Sequence, residues 1–289
     1  MNRPEETQSM KNKFYIEELI EQGDPNILKA FEKLEIDINE PLYSETTAIQ
    51  VAAENNHFDI IEILLKAGAD INSDAGGSTA LHRAARLGNV GMIDFLVERG
   101  ANINSLDSEG ETPLIVAAYH DLDSVIRLIE LGADLNVVSG AGYTALSEAI
   151  SGDNIAIFDW IITHGFDWNY HNRDGDYIVR VLIETIFDIS VEMLERVLAT
   201  LSPDLNVRFK YKKKDGRTLL ILAAMDKENI EKINLLLEYG ADPFLKDSTG
   251  KNFFRYVTGD RLNYFKNCIE SLGLNWEDVR MGRYNTPNY

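Results

Sequence analysis

Apolar residues recur along this chain as short helical stripes. The stripe of one segment is Phe58, Ile61, Leu64 and Leu65, and that of the next is Val90, Ile93, Leu96 and Val97. Such spacings of three and four residues place the apolar side chains on one face of a helix. Ala52 and Ala84 precede these stripes, and a side chain that small lets a paired helix approach closely. The pattern therefore predicts a series of antiparallel helix pairs.

Two short phrases repeat in register with the predicted helices. The first phrase has Thr first and Ala sixth, and it begins at Thr47, Thr79, Thr112 and Thr144, with intervals of 32, 33 and 32 residues (79−47, 112−79, 144−112). A threonine hydroxyl at this place can cap the first helix of each pair. The second phrase begins at Gly68, Gly100 and Gly132. Glycine there fits a left-handed cap at the end of the second helix.

Weaker copies extend the period toward both ends of the chain. We expect units that start near residues 14, 47, 79, 112, 144, 177, 218 and 252, which make residues 14–280 one array. Residues 1–13 and 281–289 are expected to be a flexible N-terminus and a tail. A repeat of this kind cannot bury its own apolar face, so polar or atypical units must close the two ends. The aromatic-rich segment 252–280 fits such a cap.

The two phrases resemble the ankyrin-repeat family, whose period is about 33 residues and whose signature is T-P-L-H-x-A. The resemblance implies an all-α repeat solenoid, an array of paired antiparallel helices with protruding hairpin or finger loops, capped at both ends. It also implies a protein that grips other proteins with its finger tips and with the inner, concave face of its first helices. Transferred by register, the candidate partner-binding residues are Tyr43, Glu54, Ala75, Ser78, Arg86, Leu87, Glu109, Glu111, Tyr119, His120, Tyr143, Glu184, Lys210, Tyr211 and Arg217.

The resemblance implies one modification as well. Asn72, Asn104 and Asn136 stand where ankyrin hairpins can be hydroxylated in animal cells.

The period breaks once, between Tyr177 and Thr218, where the interval is 41 residues and Leu182 replaces the usual alanine. Part of the excess lies between the two helices, and part forms the basic finger 207–214. Two interpretations of this finger stay open: an arm for an acidic partner or anionic surface, and a tolerated loop insertion that offsets local negative charge. We expect residues 177–201 to be the softest internal segment of the array.

Charge and composition narrow the class of partner. The chain has 28 Lys and Arg against 47 Asp and Glu, a formal charge of −19, which repels nucleic acid and favours a partner with a basic surface. The same charge could simply keep the protein soluble. Its single cysteine, Cys268, excludes an internal disulfide, and its longest uncharged apolar stretch, 218–225, is too short to span a membrane. We expect the protein to be cytoplasmic. We also expect it to be a monomer, because capped ends discourage stacking.

Catalytic, cofactor and metal motifs are not found in the sequence. Ser139–Gly142 falls at a finger tip rather than in a phosphate-binding loop, and His164, Asp167 and His171 are interpreted as helix-end and turn residues. His82 is expected to hydrogen-bond local backbone and threonine hydroxyls between adjacent units. The sequence therefore predicts no enzyme and no cofactor. It favours an inhibitor, an antitoxin-like neutraliser or an adaptor; the alternative is a host-directed or scaffold protein that uses the basic 208–214 finger as a second contact.

Overall fold

The computed structural model describes residues 7–166, 177–211, 214–225, 230–271 and 275–281. The chain divides into two compact units, residues 1–166 and 167–289, and each is described by itself. Both units are built from short helices in antiparallel pairs, so the fold is the all-α repeat solenoid that the sequence predicts. The second unit adds a short two-stranded hairpin.

The first unit is a succession of helix pairs. Its helices are α1 Gln8–Glu21, α2 Ile27–Leu34, α3 Ala48–Glu54, α4 Phe58–Lys66, α5 Ala80–Arg86, α6 Val90–Glu98, α7 Pro113–Ala118, α8 Leu122–Glu130, α9 Ala145–Ser151 and α10 Ile155–Thr163. The first helices α3, α5, α7 and α9 pack side by side, and each packs on the second helix of its own pair. A short 3-10 turn, Ala75–Gly77, lies in one of the hairpins between pairs.

Helix caps form at Thr112 and Thr144 as the first phrase predicts. The hydroxyl of Thr112 accepts a hydrogen bond from the backbone N–H of Ile115 at 3.3 Å, and Thr144 does the same for Ser147 at 3.2 Å. At the other end of a pair, Gly100 has φ 93°. A side chain at this φ would strain the backbone, which explains why the second phrase begins with glycine.

The N-terminal boundary differs from the sequence prediction. Helix α1 begins at Gln8, where the Thr7 hydroxyl accepts from the backbone N–H of Met10 at 3.3 Å. The predicted start at Phe14 therefore lies inside the helix, and the flexibility of the N-terminus stays a prediction. Lys13 is tied to Glu40 by an ion pair of 2.6 Å. The extra turns were missed because residues 8–13 are mostly polar and none of them is buried, so they add nothing to the apolar period.

The second unit contains the repeat in which the period breaks. Its elements are α11 Tyr177–Thr185, α12 Val191–Leu201, β1 Phe209–Tyr211, β2 Lys214–Arg217, α13 Leu219–Met225, α14 Ile230–Glu238, the 3-10 turn Phe253–Arg255, α15 Asp260–Ser271 and α16 Trp276–Arg280. The inserted residues between α11 and α12 bury Ile186 and Ile189. Lys232, only 2% exposed, donates from Nζ to the carbonyl oxygen of Ile186 at 2.7 Å. A buried ammonium group therefore anchors this insertion.

Candidate partner-binding surface

A buried histidine links two consecutive repeats of the first unit. His82 accepts from the backbone N–H of Thr79 at Nδ1 (3.2 Å), so its proton is on Nε2, which donates to the carbonyl oxygen of Glu111 at 2.9 Å. Burial lowers the pKa of His82, which keeps the ring neutral as this pattern requires. The structural role predicted for His82 is confirmed.

The finger loops are held by further polar links. Asp107 accepts at Oδ1 from the backbone N–H groups of Glu109 and Glu111, both at 2.9 Å. Neighbouring tips are joined through the backbone, since Gly140 N–H donates to the carbonyl oxygen of Glu109 at 3.1 Å. The finger tips of the first unit are therefore presented as an ordered surface rather than as loose loops.

The asparagines of the second phrase fasten one repeat to the next. Asn72 donates to the carbonyl oxygen of Gly100 at 3.3 Å and accepts from the backbone N–H of Asn102 at 2.7 Å. Asn104 accepts from the backbone N–H of Asp134 at 2.9 Å. The side chains of Asn72 and Asn104 therefore stabilise the contact between consecutive repeats. Hydroxylation at Asn72, Asn104 and Asn136 stays a prediction.

Exposed side chains gather at the C-terminal ends of the first helices. We call this set the inner face: Glu54, Arg86, Leu87, Tyr119 and His120, all of them exposed. Leu87 is 59% exposed and Tyr119 is 42% exposed, so both offer apolar surface that a partner could bury. The rings of Tyr119 and His120 meet edge to face at 4.5 Å. The side-by-side packing of α3, α5 and α7 brings these residues to one edge of the helix layer.

Two half-buried carboxylates accompany the inner face. Burial, and next the negative charge of Glu111, raise the pKa of Glu148 to about 7. Burial also raises the pKa of Glu111, with Asp107 and Glu109 adding to the shift and Arg86 opposing it. Within the described residues, neither carboxylate has an ion pair or a hydrogen bond. The positive charge of Arg86 acts on Glu111, but no described residue forms an ion pair with either acid, so both keep a free-energy cost of burial that a basic group could relieve.

Three family models match the sequence. "Ankyrin repeats (3 copies)" matches residues 16–107, "Ankyrin repeats (many copies)" matches 96–149, and "Ankyrin repeat" matches 215–248. The chain belongs to the ankyrin-repeat family. A comparison with curated proteins found no match. Ankyrin repeats indicate a protein-protein interaction module and are generally non-catalytic, so a protein is the class of partner to seek. The matches leave residues 150–214 uncovered, the stretch in which the period breaks.

The other predicted contacts on the ankyrin fingers of the first unit are unevenly accessible. Tyr43 is 44% exposed and meets Phe14 edge to face, with the ring centroids 5.4 Å apart. Glu109 is exposed, whereas Ala75 and Tyr143 are half-buried. Ser78 is a correction: it is 6% exposed because it lies where the finger returns to the helix layer, so its side chain is not accessible to a partner.

The remaining candidates lie in the second unit. Glu184 is half-buried at the end of α11. Lys210 and Tyr211 belong to β1, which pairs antiparallel with β2 and sets Tyr211 opposite Lys214. Arg217, at the end of β2, holds its guanidinium 5.4 Å from the ring centre of Tyr256. The predicted basic finger is thus a β-hairpin in the residues that are described.

Glu148 was missed at the sequence level, although the register contains the signal. It follows Thr144 by four residues, the place that Arg83 and Val116 occupy after Thr79 and Thr112. In this ankyrin array Arg83 forms an ion pair with Glu54 of the preceding repeat. Comparison of this one position across the repeats would have shown an acid where its neighbours are basic or apolar.

Metal and membrane chemistry find no support in the described parts of this ankyrin protein. No group of three or more His, Cys, Asp or Glu side chains among the described residues could hold a metal ion. His164 stacks on Trp160 with ring centres 3.8 Å apart, while Asp167 and His171 lie outside the described residues. No helix in the described ranges combines the length and the apolar character needed to cross a membrane.

Proposed function

We propose that this ankyrin-repeat protein is a non-enzymatic, cytoplasmic, monomeric binder that holds a basic protein against its inner face. It would act as a stoichiometric inhibitor, an antitoxin-like neutraliser or an adaptor. The observation that carries the proposal is the pair Glu111 and Glu148, two half-buried carboxylates that form no ion pair with any described residue, on the layer that also exposes Tyr119. The geometry offers negative charge and an aromatic anchor together.

The energetics favour a cationic partner at this place. An unpaired, partly desolvated carboxylate destabilises the free protein at neutral pH, and an Arg or Lys side chain from a partner removes that penalty. Tyr119 and Leu87 supply the exposed apolar surface that such an interface buries, and tyrosine is a frequent source of binding energy. The formal charge of −19 adds long-range attraction, so we expect association to weaken with salt.

A second candidate is the scaffold role, and the β1–β2 hairpin favours it. Lys210 and Lys214 lie on paired strands of a protein that is otherwise acidic, and Arg208 next to them is exposed. Such a hairpin could contact an acidic second partner while the inner face holds a basic one. Two simultaneous partners would then be required, instead of one.

The test is capture of partners from the native cell on the full chain, at low and at high salt, with mass spectrometry of the eluate. Three variants accompany the wild type: Glu111→Lys and Tyr119→Ala on the proposed surface, and Glu98→Lys as the matched control. Glu98 is an exposed residue on the second helix α6, so this variant makes the same charge reversal away from the inner face. We expect one basic protein in a 1:1 complex, weakened by about tenfold or more in each inner-face variant and unchanged in the control.

Other outcomes separate the alternatives. Binding that survives both inner-face changes would remove the inner face from the mechanism. Two partners bound at once, one of them lost in Lys210→Glu, would establish the scaffold role instead. Sedimentation of the free protein checks the monomer, and a concentration-dependent dimer would contradict it.

A further inference from the structure

The second unit contains an aromatic pocket that the inner face does not include. A cavity of about 340 Å³ is lined by residues from the end of α14 and from the closing segment. Its lining includes three buried rings, Phe253, Phe254 and Phe265, which we call its floor. Tyr264, Leu237 and Glu238 also line it. This volume is at the lower end of the range for binding pockets and suits one long side chain with its neighbours.

The floor of the pocket is a packed aromatic cluster. Phe253 and Phe254 are 1% and 2% exposed, and Phe265 is 5% exposed. The ring of Phe253 meets the rings of Phe254 and Phe265 edge to face, both at 5.1 Å between centres. Because these rings are fixed by their own contacts, the floor does not need to rearrange when a ligand enters, which lowers the entropic cost of binding.

Two exposed groups give the pocket a chemical preference. Tyr264 is 47% exposed and packs edge to face with Phe265, with the ring centroids 5.1 Å apart, so part of its ring is accessible to a ligand. Glu238 is exposed at the end of α14, and no described residue forms an ion pair or a hydrogen bond with its carboxylate. Aromatic faces attract cations, and a free carboxylate accepts two parallel hydrogen bonds from a guanidinium group.

We propose that this pocket receives an arginine side chain of a protein partner, with its stem on the phenylalanine floor and its guanidinium between Tyr264 and Glu238. Arginine fits better than lysine because the planar guanidinium can stack on a ring and bind a carboxylate at the same time. A purely apolar side chain would leave Glu238 without a cation. The formal charge of −19 on the whole chain also favours a cationic side chain over a neutral one. None of the residues that line the pocket belongs to the inner face, so either proposal can fail alone.

The test uses the full-length protein with ¹³C-labelled Phe and Tyr rings and a defined probe, N-acetyl-arginine amide, followed by NMR titration. The lysine, leucine and citrulline amides serve as comparison probes, since citrulline keeps the shape of arginine without its charge. We expect saturable shifts at Tyr264 and Phe265 with the arginine probe, and binding about tenfold weaker with citrulline. Tyr264→Phe assigns the Tyr264 signals and keeps the ring.

Matched variants decide which groups act. Glu238→Gln should weaken the arginine probe by about tenfold, whereas Glu231→Gln, the same change at an exposed residue of α14 outside the pocket, should leave it unchanged. Equal binding of citrulline or leucine, or an unchanged affinity in Glu238→Gln, would overturn the proposal. So would shifts of the same signals on dilution, which indicate a second copy of the chain, or on removal of residues 282–289, which indicate the chain's own tail.

Discussion

The repeat that begins at Thr79 and the repeat that begins at Tyr177 solve the same stacking problem with different chemistry. In the first, His82 is fully buried and joins its own helix to the carbonyl oxygen of Glu111 in the next repeat. In the second, the equivalent position is Arg180, which is exposed, and the link comes from Lys232 of the following repeat to Ile186. A neutral ring has been replaced by a buried ammonium group, which is costlier to desolvate. The period alone does not fix how firmly two repeats are joined.

The largest effect on stability is expected from loss of the His82 side chain, which joins two repeats. His82→Ala should lower the free energy of unfolding by about 3 kcal/mol, because it opens a cavity and leaves the N–H of Thr79 and the carbonyl of Glu111 without partners. Chemical denaturation of the full chain measures this. His82→Gln should cost less than about 1 kcal/mol. Gln50 already holds the equivalent place in the preceding repeat, where its Nε2 donates to the carbonyl oxygen of Ser73 at 2.9 Å.

His120→Ala is the matched control for that pair of variants. His120 is exposed at the end of α7, so its loss should change the free energy of unfolding by less than about 0.5 kcal/mol. A glutamine variant as unstable as the alanine variant would show that the ring's packing, and not its hydrogen bonds, joins the repeats.

The sequence predicted the parts of this fold that recur. Thr112, Pro113 and Gly132 each mark a helix boundary through a local backbone requirement, and such requirements can be recognised without knowing the tertiary structure. Contacts between repeats are a different matter. The bond from Lys232 to Ile186 joins residues 46 positions apart in a stretch where the register is lost, so no repeated phrase announces it.

For the candidate surface, too, the sequence predicted the positions that follow from the repeat and missed the features that depend on tertiary contacts. Leu87 and Tyr119 are exposed as expected, because their positions follow directly from the helix period. Ser78 was predicted to be accessible but is buried. In a tight finger the conformation of two residues decides which side chain turns inward, and the helix period does not determine it. The raised pKa of Glu148 depends on burial and on Glu111 in the preceding repeat, and neither follows from the local sequence. The aromatic pocket could not be predicted either, because it forms only where the closing segment folds against α14.

The next largest effect is expected in the hydrogen exchange of the repeat that begins at Tyr177. Amide hydrogens of α11 and α12 should exchange roughly tenfold faster, or more, than those of α5 and α7, because the lost alanine and the insertion weaken the stacking of this repeat. Hydrogen exchange followed by mass spectrometry on the full chain measures both regions in one experiment. Equal protection of all four helices would contradict the prediction.

The buried lysine makes this second prediction more specific. Lys232→Ala removes the bond to the carbonyl of Ile186, so exchange should rise further in residues 177–201 and stay unchanged in α5 and α7. Lys66→Ala serves as the control, since Lys66 is exposed at the end of α4. A uniform rise along the whole chain would mean that Lys232 supports global stability and does not act on the insertion in particular.

The smallest effect tests a residue that works against stability, in contrast to His82. The pKa of Glu148 is raised from 4.5 to about 7 in the folded protein, so the folded state binds its proton more tightly than the unfolded state does. The stability that this group contributes is therefore complete below pH 4.5 and is lost as the pH rises through 7. Glu148→Gln keeps the shape and removes the titration. At pH 8 it should be more stable than the wild type by about 1 to 2 kcal/mol, after allowance for partial exposure.

Denaturation of wild type and Glu148→Gln at pH 5.5 and pH 8 checks the sign as well as the size. The difference should shrink at the lower pH, where the folded protein already holds the proton. Glu32→Gln, at an exposed residue of α2, should show no such trend. A pH-independent difference would mean that the glutamine improves local packing, and Glu148 would then carry no electrostatic penalty for a basic partner to relieve. A difference that grows with pH would show that the inner face keeps an acid at the expense of stability, as a surface built to receive a cation would.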